Sequence, residues 1–312
     1  MKKRRALWLV VLAAVFLALS LGALSARLWL FPALSLRLVY RVKLPAGVDR
    51  AALLEQTLEA VRRRAEPVRG RVTLSGGSIV VDLPRLAPDD LRATRRRLAR
   101  NVKLELRRVD DRSDLLRRII AAAPPPEGVE VKRNDYVGRG GRIVRYVTLT
   151  SASRRRLEAY LDGLSFRHRP APDRQLVLGE GWGPHGRVTQ HEVFHLHRRV
   201  ELGSRDVVAA EVFTDGITGQ PDVGITFSKA GARRFEALTR AIVGQRLAIL
   251  LDGKVTSAPV VQEPITGGKA RITLGGFKDP LTRKLEAEEL AAALDAGVLP
   301  AELELAREEA LR

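Results

Sequence analysis

His191-Glu192-Val193-Phe194-His195 spells H-E-x-x-H, the spacing by which a helix offers two histidines to one zinc and a glutamate to the zinc-bound water. That chemistry needs the i, i+4 repeat of a helix. Phe194, Leu196, Val200 and Leu202 instead fall on alternate positions, which is the pattern of a strand. Residues four apart on a strand share a face but stand ~13 Å apart, too far to bind one zinc. Glu211 lies downstream with no helix to present it as a third ligand. The stretch therefore reads as a strand carrying solvated histidines. A zinc hydrolase is the last of three functional readings, and no catalytic group, metal or cofactor is expected.

Gly138-Arg139-Gly140-Gly141 has the glycines of a phosphate loop but lies between strands, with no helix N-terminus to receive an anion. It reads as a hairpin turn, as do Gly267 and Gly268. Cysteine is absent, so neither a disulfide nor a thiolate site is available. The 312 residues carry a net charge of +18, which alone would suggest nucleic acid. Only ten of the 54 basic residues are lysine, the arginines are spread through every helix, and aromatics at 5% are too few for base stacking. No nucleic acid partner is expected. The charge reads as solvated arginine faces, with attraction to anionic lipid or acidic polypeptide as the alternative.

Ala6 to Ala26 is a run of twenty-one uncharged residues behind Met1-Lys2-Lys3-Arg4-Arg5 and closed by Arg27. A helix of ~20 apolar residues spans a bilayer, and the basic cluster stays on the cytoplasmic side. Trp8 and Trp29 mark the two interfaces. The expectation is a single-pass anchor whose lipid contact is residues 6–26, with a cleaved signal peptide at Ala23-Leu24-Ser25 as the alternative. In both cases the remainder is exported.

The exported part begins with a strand, Leu38 to Leu44, and a helix capped by Asp49 with Leu53, Leu54, Leu58 and Val61 on one face. Two short strands follow, Val72 to Leu74 and Ile79 to Leu83, turning at Gly76-Gly77. Pro88-Asp89-Asp90 opens a second helix, and Val102 to Val109 is taken as the closing strand. Strand, helix, strand, strand, helix, strand is the ferredoxin-like pattern. Ser113 caps a further helix that stops at Pro124-Pro125-Pro126. Strands near Val129 to Lys132 and Arg142 to Leu149 come next, and then an arginine-rich helix capped by Ser151 and ending at Gly163. A polar stretch is expected from there to Gly186.

Val223, Ile225 and Phe227 alternate as a half-buried strand, Ser228 caps a helix bearing Phe235, Leu238 and Ile242, and Gly244 ends it. Leu247 to Leu251 runs into Asp252-Gly253, a tight-turn pair, and the return strand carries Ser257-Ala258-Pro259, where proline implies an edge or bulge. Ala270 to Leu274 follows the turn at Gly267-Gly268. One small antiparallel sheet covered by one helix is expected.

The phrases F-E-A-L-T, V-G-Q-R-L-A-I-L-L-D-G-K-V, S-A-P-V-V, I-T-G-G-K-A-R-I-T-L-G-G-F and L-A-A-A-L-D-A-G-V-L-P occur here in order. In that order they resemble the head of the first periplasmic domain of SecD, a membrane-anchored accessory subunit of bacterial protein export. The resemblance covers 199–300 closely and 36–108 loosely, where Leu104-Glu105-Leu106-Arg107 resembles the base. It implies an α+β protein: a stub and transmembrane anchor over 1–28, a ferredoxin-like base over 36–109, a variable first part of the head over 110–200, a SecD-like head with antiparallel sheet over 201–276, and a helical segment over 277–312 returning to the base. It also implies an inner-membrane protein with its N-terminus in the cytoplasm and its bulk in the periplasm. The implied partners are unfolded preprotein and the Sec translocon or SecDF-type membrane subunits, and the implied role is non-enzymatic.

Candidate contacts with preprotein or a membrane partner are Phe235, Leu238, Thr239, Asp252, Gly253, Ser257 and Pro259. Two departures qualify the resemblance. Where the family carries G-L-D-L-R-G-G, this sequence reads Ala33-Leu34-Ser35-Leu36-Arg37, with Ser35 at the aspartate position and the paired glycines missing. The sequence also stops at Arg312, where the family enters its proton-conducting helices, so a moving arm without its motor is expected. An envelope scaffold derived from SecD is the second reading.

Overall fold

Along Ser35–Lys43, Leu36, Leu38, Tyr40 and Val42 are buried and their neighbours are not, the alternation of a strand covered on one face. The computed structural model describes residues 35–45, 47–182, 188–216, 218–273 and 280–311. The expected anchor over 1–28 lies outside them. Among the described residues, no helix is long and apolar enough to cross a membrane.

In chain order the elements begin β1 (Ser35–Lys43), α1 (Arg50–Ala65), β2 (Arg71–Ser75), β3 (Ser78–Leu83), α2 (Pro88–Ala99) and β4 (Leu104–Arg108). They continue with α3 (Leu115–Ala122), β5 (Glu130–Val137), β6 (Ile143–Ser151), α4 (Arg154–Asp162), β7 (Arg174–Trp182) and β8 (Val188–His197). Then come β9 (Leu202–Gly203), β10 (Val207–Thr214), β11 (Pro221–Phe227), α5 (Lys229–Ala241), β12 (Leu247–Leu251) and β13 (Lys254–Ser257). The last are β14 (Lys269–Ile272), α6 (Pro280–Asp295) and β15 (Glu302–Leu311). They fall into two units, one formed by residues up to Ala99 together with 301–312, the other by 100–300.

The first unit is an antiparallel sheet in the order β15-β1-β3-β2 with α1 and α2. Asp49 caps α1, its Oδ1 accepting from the amides of Ala51 and Ala52 at 3.0 and 3.2 Å. Arg64 is fully buried, and its Nη1 donates to the carbonyls of Arg97 and Leu98 at 3.1 and 3.3 Å. A cation on the last carbonyls of α2 suits the negative end of that helix. Burial, with Arg63 adding to it, lowers the Arg64 guanidinium to about 10. The strand expected to close this sheet, 102–109, does not do so. Its core, β4, pairs with β12 and β9 in the second unit, while β15 closes the first sheet against β1. The buried residues explain it: Leu104, Leu106 and Val102 belong to the core of β11, α5 and β12. The tail is correspondingly not helical to its end, since α6 gives way to a strand on which Leu303 is buried and Glu302, Glu304, Arg307 and Glu308 are exposed.

The second unit holds an eight-stranded sheet, β5-β6-β8-β7-β13-β12-β4-β9, and a three-stranded one, β10-β11-β14. The single small sheet expected over 223–274 is therefore split. β11 and β14 pair with each other, whereas the β12–β13 hairpin belongs to the larger sheet through β4 and a parallel bridge from Val255 to Gly179. The stretch expected to be polar loop contains β7, which pairs with β8 from Arg174↔His197 to Trp182↔Val188. The large sheet curls back on itself. Val109 bridges Leu196 and the Asp110 amide donates to the His195 carbonyl at 2.8 Å, so β4, β12, β13, β7 and β8 form a closed ring. Phe194, Leu196, Ala248, Leu250 and Val255 form one buried cluster from these strands. Gly179 is needed there, because a Cβ would lie 2.6 Å from the Phe194 ring.

Candidate functional site

Ser228 caps α5 by accepting from the Gly231 amide at 3.1 Å, and the helix lays Phe235 and Thr239 into the core. Thr239 Oγ1 donates to the Phe235 carbonyl at 2.9 Å and accepts from the Ile265 amide at 3.0 Å. Phe235 packs on Phe227 with ring centroids 5.0 Å apart. These two candidate contact residues are thus built into the core of the second unit and are not accessible to a partner. Leu238 is half-buried against the same core. Asp252, Gly253 and Pro259 are exposed and Ser257 is half-buried, so the structure brings the accessible part of the expected surface to one hairpin. Asp252 adopts φ 51°, and its Oδ1 accepts from the Lys103 amide at 2.8 Å while its own amide donates to the Lys103 carbonyl at 2.9 Å. The turn is therefore pinned to the start of β4. β13 ends before Pro259, whose carbonyl accepts from the Leu247 amide at 2.9 Å.

Sequence reasoning did not single out Arg246, which carries the densest electrostatics of the unit. Its guanidinium meets Asp111 through Nε–Oδ2 at 2.8 Å and Nη2–Oδ1 at 2.5 Å, with both side chains almost fully buried. Nη1 donates to the Tyr146 hydroxyl at 3.2 Å, and the group stacks 4.1 Å from the Tyr146 ring. Burial works against its charge, but Asp111, Tyr146 and Glu192 together hold its pKa above the ordinary value. Burial and the neighbouring Asp111 push the Tyr136 hydroxyl up to about 12. The only local signal was an Asp110-Asp111 pair 135 positions before an arginine, which no spacing rule connects. The cluster ties the segment entering α3 to the start of β12.

The H-E-V-F-H stretch lies on β8, as its alternation predicts. Its histidines are not solvated as expected. His195 is only 8% exposed, and neither ring nitrogen is within hydrogen-bonding geometry of a partner among the described residues. The cause is β8's central position between β6 and β7, with α3 and α4 contributing to the cluster that contains Val193. Burial lowers the His195 pKa, and burial raises that of the Glu192 carboxyl on the opposite face. Among the described residues no three of His, Cys, Asp or Glu gather as a metal site. In the first unit, Ser35 begins β1 opposite Leu311, and Arg37 pairs with Asp82 through Nε–Oδ1 at 2.6 Å and Nη2–Oδ2 at 2.8 Å. The arginine of the departed motif is thus occupied within its own sheet.

Residues 184–301 match the family model described as SecDF, P1 head subdomain. This segment is similar to SecDF P1 head subdomains. The protein translocase subunit SecD of Acidaminococcus fermentans is 42% identical over 120 residues, which are 38% of this chain and 27% of that relative. The SecDF of Thermus thermophilus is 44% identical over 93 residues, 30% of this chain and 12% of its own. The chain thus spans only a minor part of the curated relatives it matches. A solved structure of SecDF, a membrane component that enhances protein export, superposes with a TM-score of 0.53 at 25% identity, covering 88% of this chain and all of that one. SecDF in its super-membrane-facing form gives a TM-score of 0.54 at 24% identity and agrees in fold. The P1 head match takes in β8, the Asp252-Gly253 hairpin and Arg246, but not Asp111, α4 or β7.

Proposed function

We propose that the chain is an extracytoplasmic accessory protein of Sec-dependent export, whose P1 head contacts translocating polypeptide or a SecDF-type membrane partner. The observation that carries this is the P1 head match over 184–301, together with a fold likeness to SecDF that extends over 88% of the chain. On this reading residues 6–26 anchor the protein in the inner membrane with the N-terminus in the cytoplasm. The first unit is its ferredoxin-like base, a reading supported by two helices on a sheet ordered β15-β1-β3-β2. The role is non-enzymatic. Weak, reversible, sequence-tolerant contact is the physical requirement, and an exposed hairpin braced by Lys103 suits it.

A photo-crosslinker at Gly253 tests the reading. An adduct with a stalled export substrate or a translocon subunit is expected. Absence of any adduct, while control positions on the same unit react with their own neighbours, would sink it. Ser35 in place of the family's aspartate favours a second reading, an envelope scaffold. Pull-down from detergent-solubilised membranes separates the two, since export predicts translocon subunits and a scaffold predicts other envelope proteins.

A further inference from the structure

Resting on that reading, we propose that a groove lined mainly by residues before the P1 head match holds extended polypeptide whose apolar side chains are flanked by carboxylates. The groove, about 540 Å³, runs between α4, the 164–170 loop, β7 and the turn at Gly253 and Lys254. Its floor is apolar: Leu161, Leu164, Leu176 and Leu178 lie on the cluster built around Leu149 and Leu157.

Two further observations select the occupant. The first is backbone. β7 pairs with β8 along its whole length, but on its other side it meets a strand only at Gly179, where Val255 bridges it. The 175–178 edge has no strand partner on that side among the described residues, whereas Arg174 just before it is occupied, its amide donating to the Ala171 carbonyl at 2.9 Å; the open edge faces the groove through Gln175, Leu176, Val177 and Leu178. An open edge binds extended chain by main-chain hydrogen bonds, which are indifferent to side-chain identity. The second is charge. Of the four cations on the rim, Arg154 is paired with Glu158 at 2.7 Å and Lys254 with Glu180 at 2.8 Å. Arg169 and Arg198 have no carboxylate partner among the described residues and outnumber the one further carboxylate of the lining, Asp162; Arg198 is held in place by its Nε donating to the Arg174 carbonyl at 2.9 Å. Apolar floor, open edge and two free guanidinium groups together fit an extended segment with acidic residues beside apolar ones.

The test uses the full chain in neutral detergent and three fluorescein-labelled twelve-residue peptides. All alternate leucine with serine; one ends in glutamates, one in lysines and one is neutral. Fluorescence anisotropy at low salt should give the glutamate peptide about fivefold tighter binding than the lysine peptide, a gap that closes as salt rises. Arg169→Glu with Arg198→Glu, both exposed and so tolerated by the fold, should reverse the order. Alternate N-methylation of the glutamate peptide should abolish its binding. Equal binding of all three peptides, or a preference that the reversals leave unchanged, overturns the groove while the Gly253 crosslink still upholds the export reading. Loss of both the crosslink and all peptide binding removes both. Self-association broken by the same reversals would seat a second copy in the groove and overturn the proposal.

Discussion

The four-stranded sheet of the first unit and the eight-stranded sheet of the second are both mainly antiparallel, yet they place their charges differently. In the first, the cross-strand pair Arg37–Asp82 lies on a partly solvated face, and the buried alternation of Leu36, Leu38, Tyr40 and Val42 does the holding. In the second, Arg246 and Asp111 are buried, Glu105 is buried between Lys103 and Arg107, and His195 is buried with neither ring nitrogen hydrogen-bonded among the described residues. A sheet held by apolar alternation tolerates loss of any one charge. One threaded with buried ions depends on each partner, because a stranded charge costs far more than a lost surface pair.

The largest expected effect is that of Arg246→Met, which strands Asp111 and should cost about 3–5 kcal/mol. Hydrogen exchange should quicken in β8 and β12 and stay unchanged in β1 and β3; equal quickening in both sheets would erase the contrast. Gly244→Ala should follow, because at φ 74° a Cβ there would stand 1.9 Å from the Arg139 amide nitrogen. A cost of more than about 1 kcal/mol is expected, exceeding that of Gly76→Ala, which has φ 55° but open space around it. Denaturant midpoints of the two variants rank them.

The third expectation concerns pH. All five histidines of the chain lie in 100–300, and burial lowers the pKa of both His195 and His197. Below a pH of about 6.5 the unfolded chain takes up protons that the folded unit refuses, so stability present above that pH is lost as pH falls. Between pH 7 and 5 the second unit should weaken and His195→Leu should flatten the slope. Glu192 has the opposite sign. Its raised pKa makes its contribution complete below about 4.3 and lost as pH rises, so Glu192→Gln should stabilise slightly at pH 7. The first unit should be flat over that range, since Asp82, held low first by its hydrogen bond from Arg37, loses its contribution only under stronger acid. Hydrogen exchange of both sheets across pH reads the difference. Smallest is Asp82→Asn, worth at most about 1 kcal/mol and confined to the first unit.

Legibility in the sequence followed the same division. The β1 alternation, the Asp49 and Ser228 caps, the glycines at 244 and 253 and the strand character of H-E-V-F-H were all readable, because each is decided by neighbours within one turn or one pleat. Ser151 was read as a cap two residues early; the N-cap is Ser153, and Ser151 accepts from the Ser153 amide instead. What failed was pairing at a distance. β4 and β15 exchange the roles expected of them, and nothing within 102–109 distinguishes a strand that closes one sheet from one that enters another. β7 was hidden by Gly179, Glu180 and Gly181, residues that read as loop until Phe194 is seen to need the room. Of the candidate contacts, the hairpin was legible as a turn. The burial of Phe235 and Thr239 was decided by β11 and the 265 region, which local pattern does not reveal.

The swap of β4 for β15 has a consequence in time. Lys43 of β1 meets Glu302 of β15 across 259 positions of chain. A polypeptide emerging at ~5–20 residues per second leaves that side of β1 unpaired for tens of seconds after the rest of its sheet is made. Meanwhile the 100–300 insertion has every partner it needs and can fold first. The first unit is therefore finished after the 100–300 segment it encloses, although its first strand is made well before it.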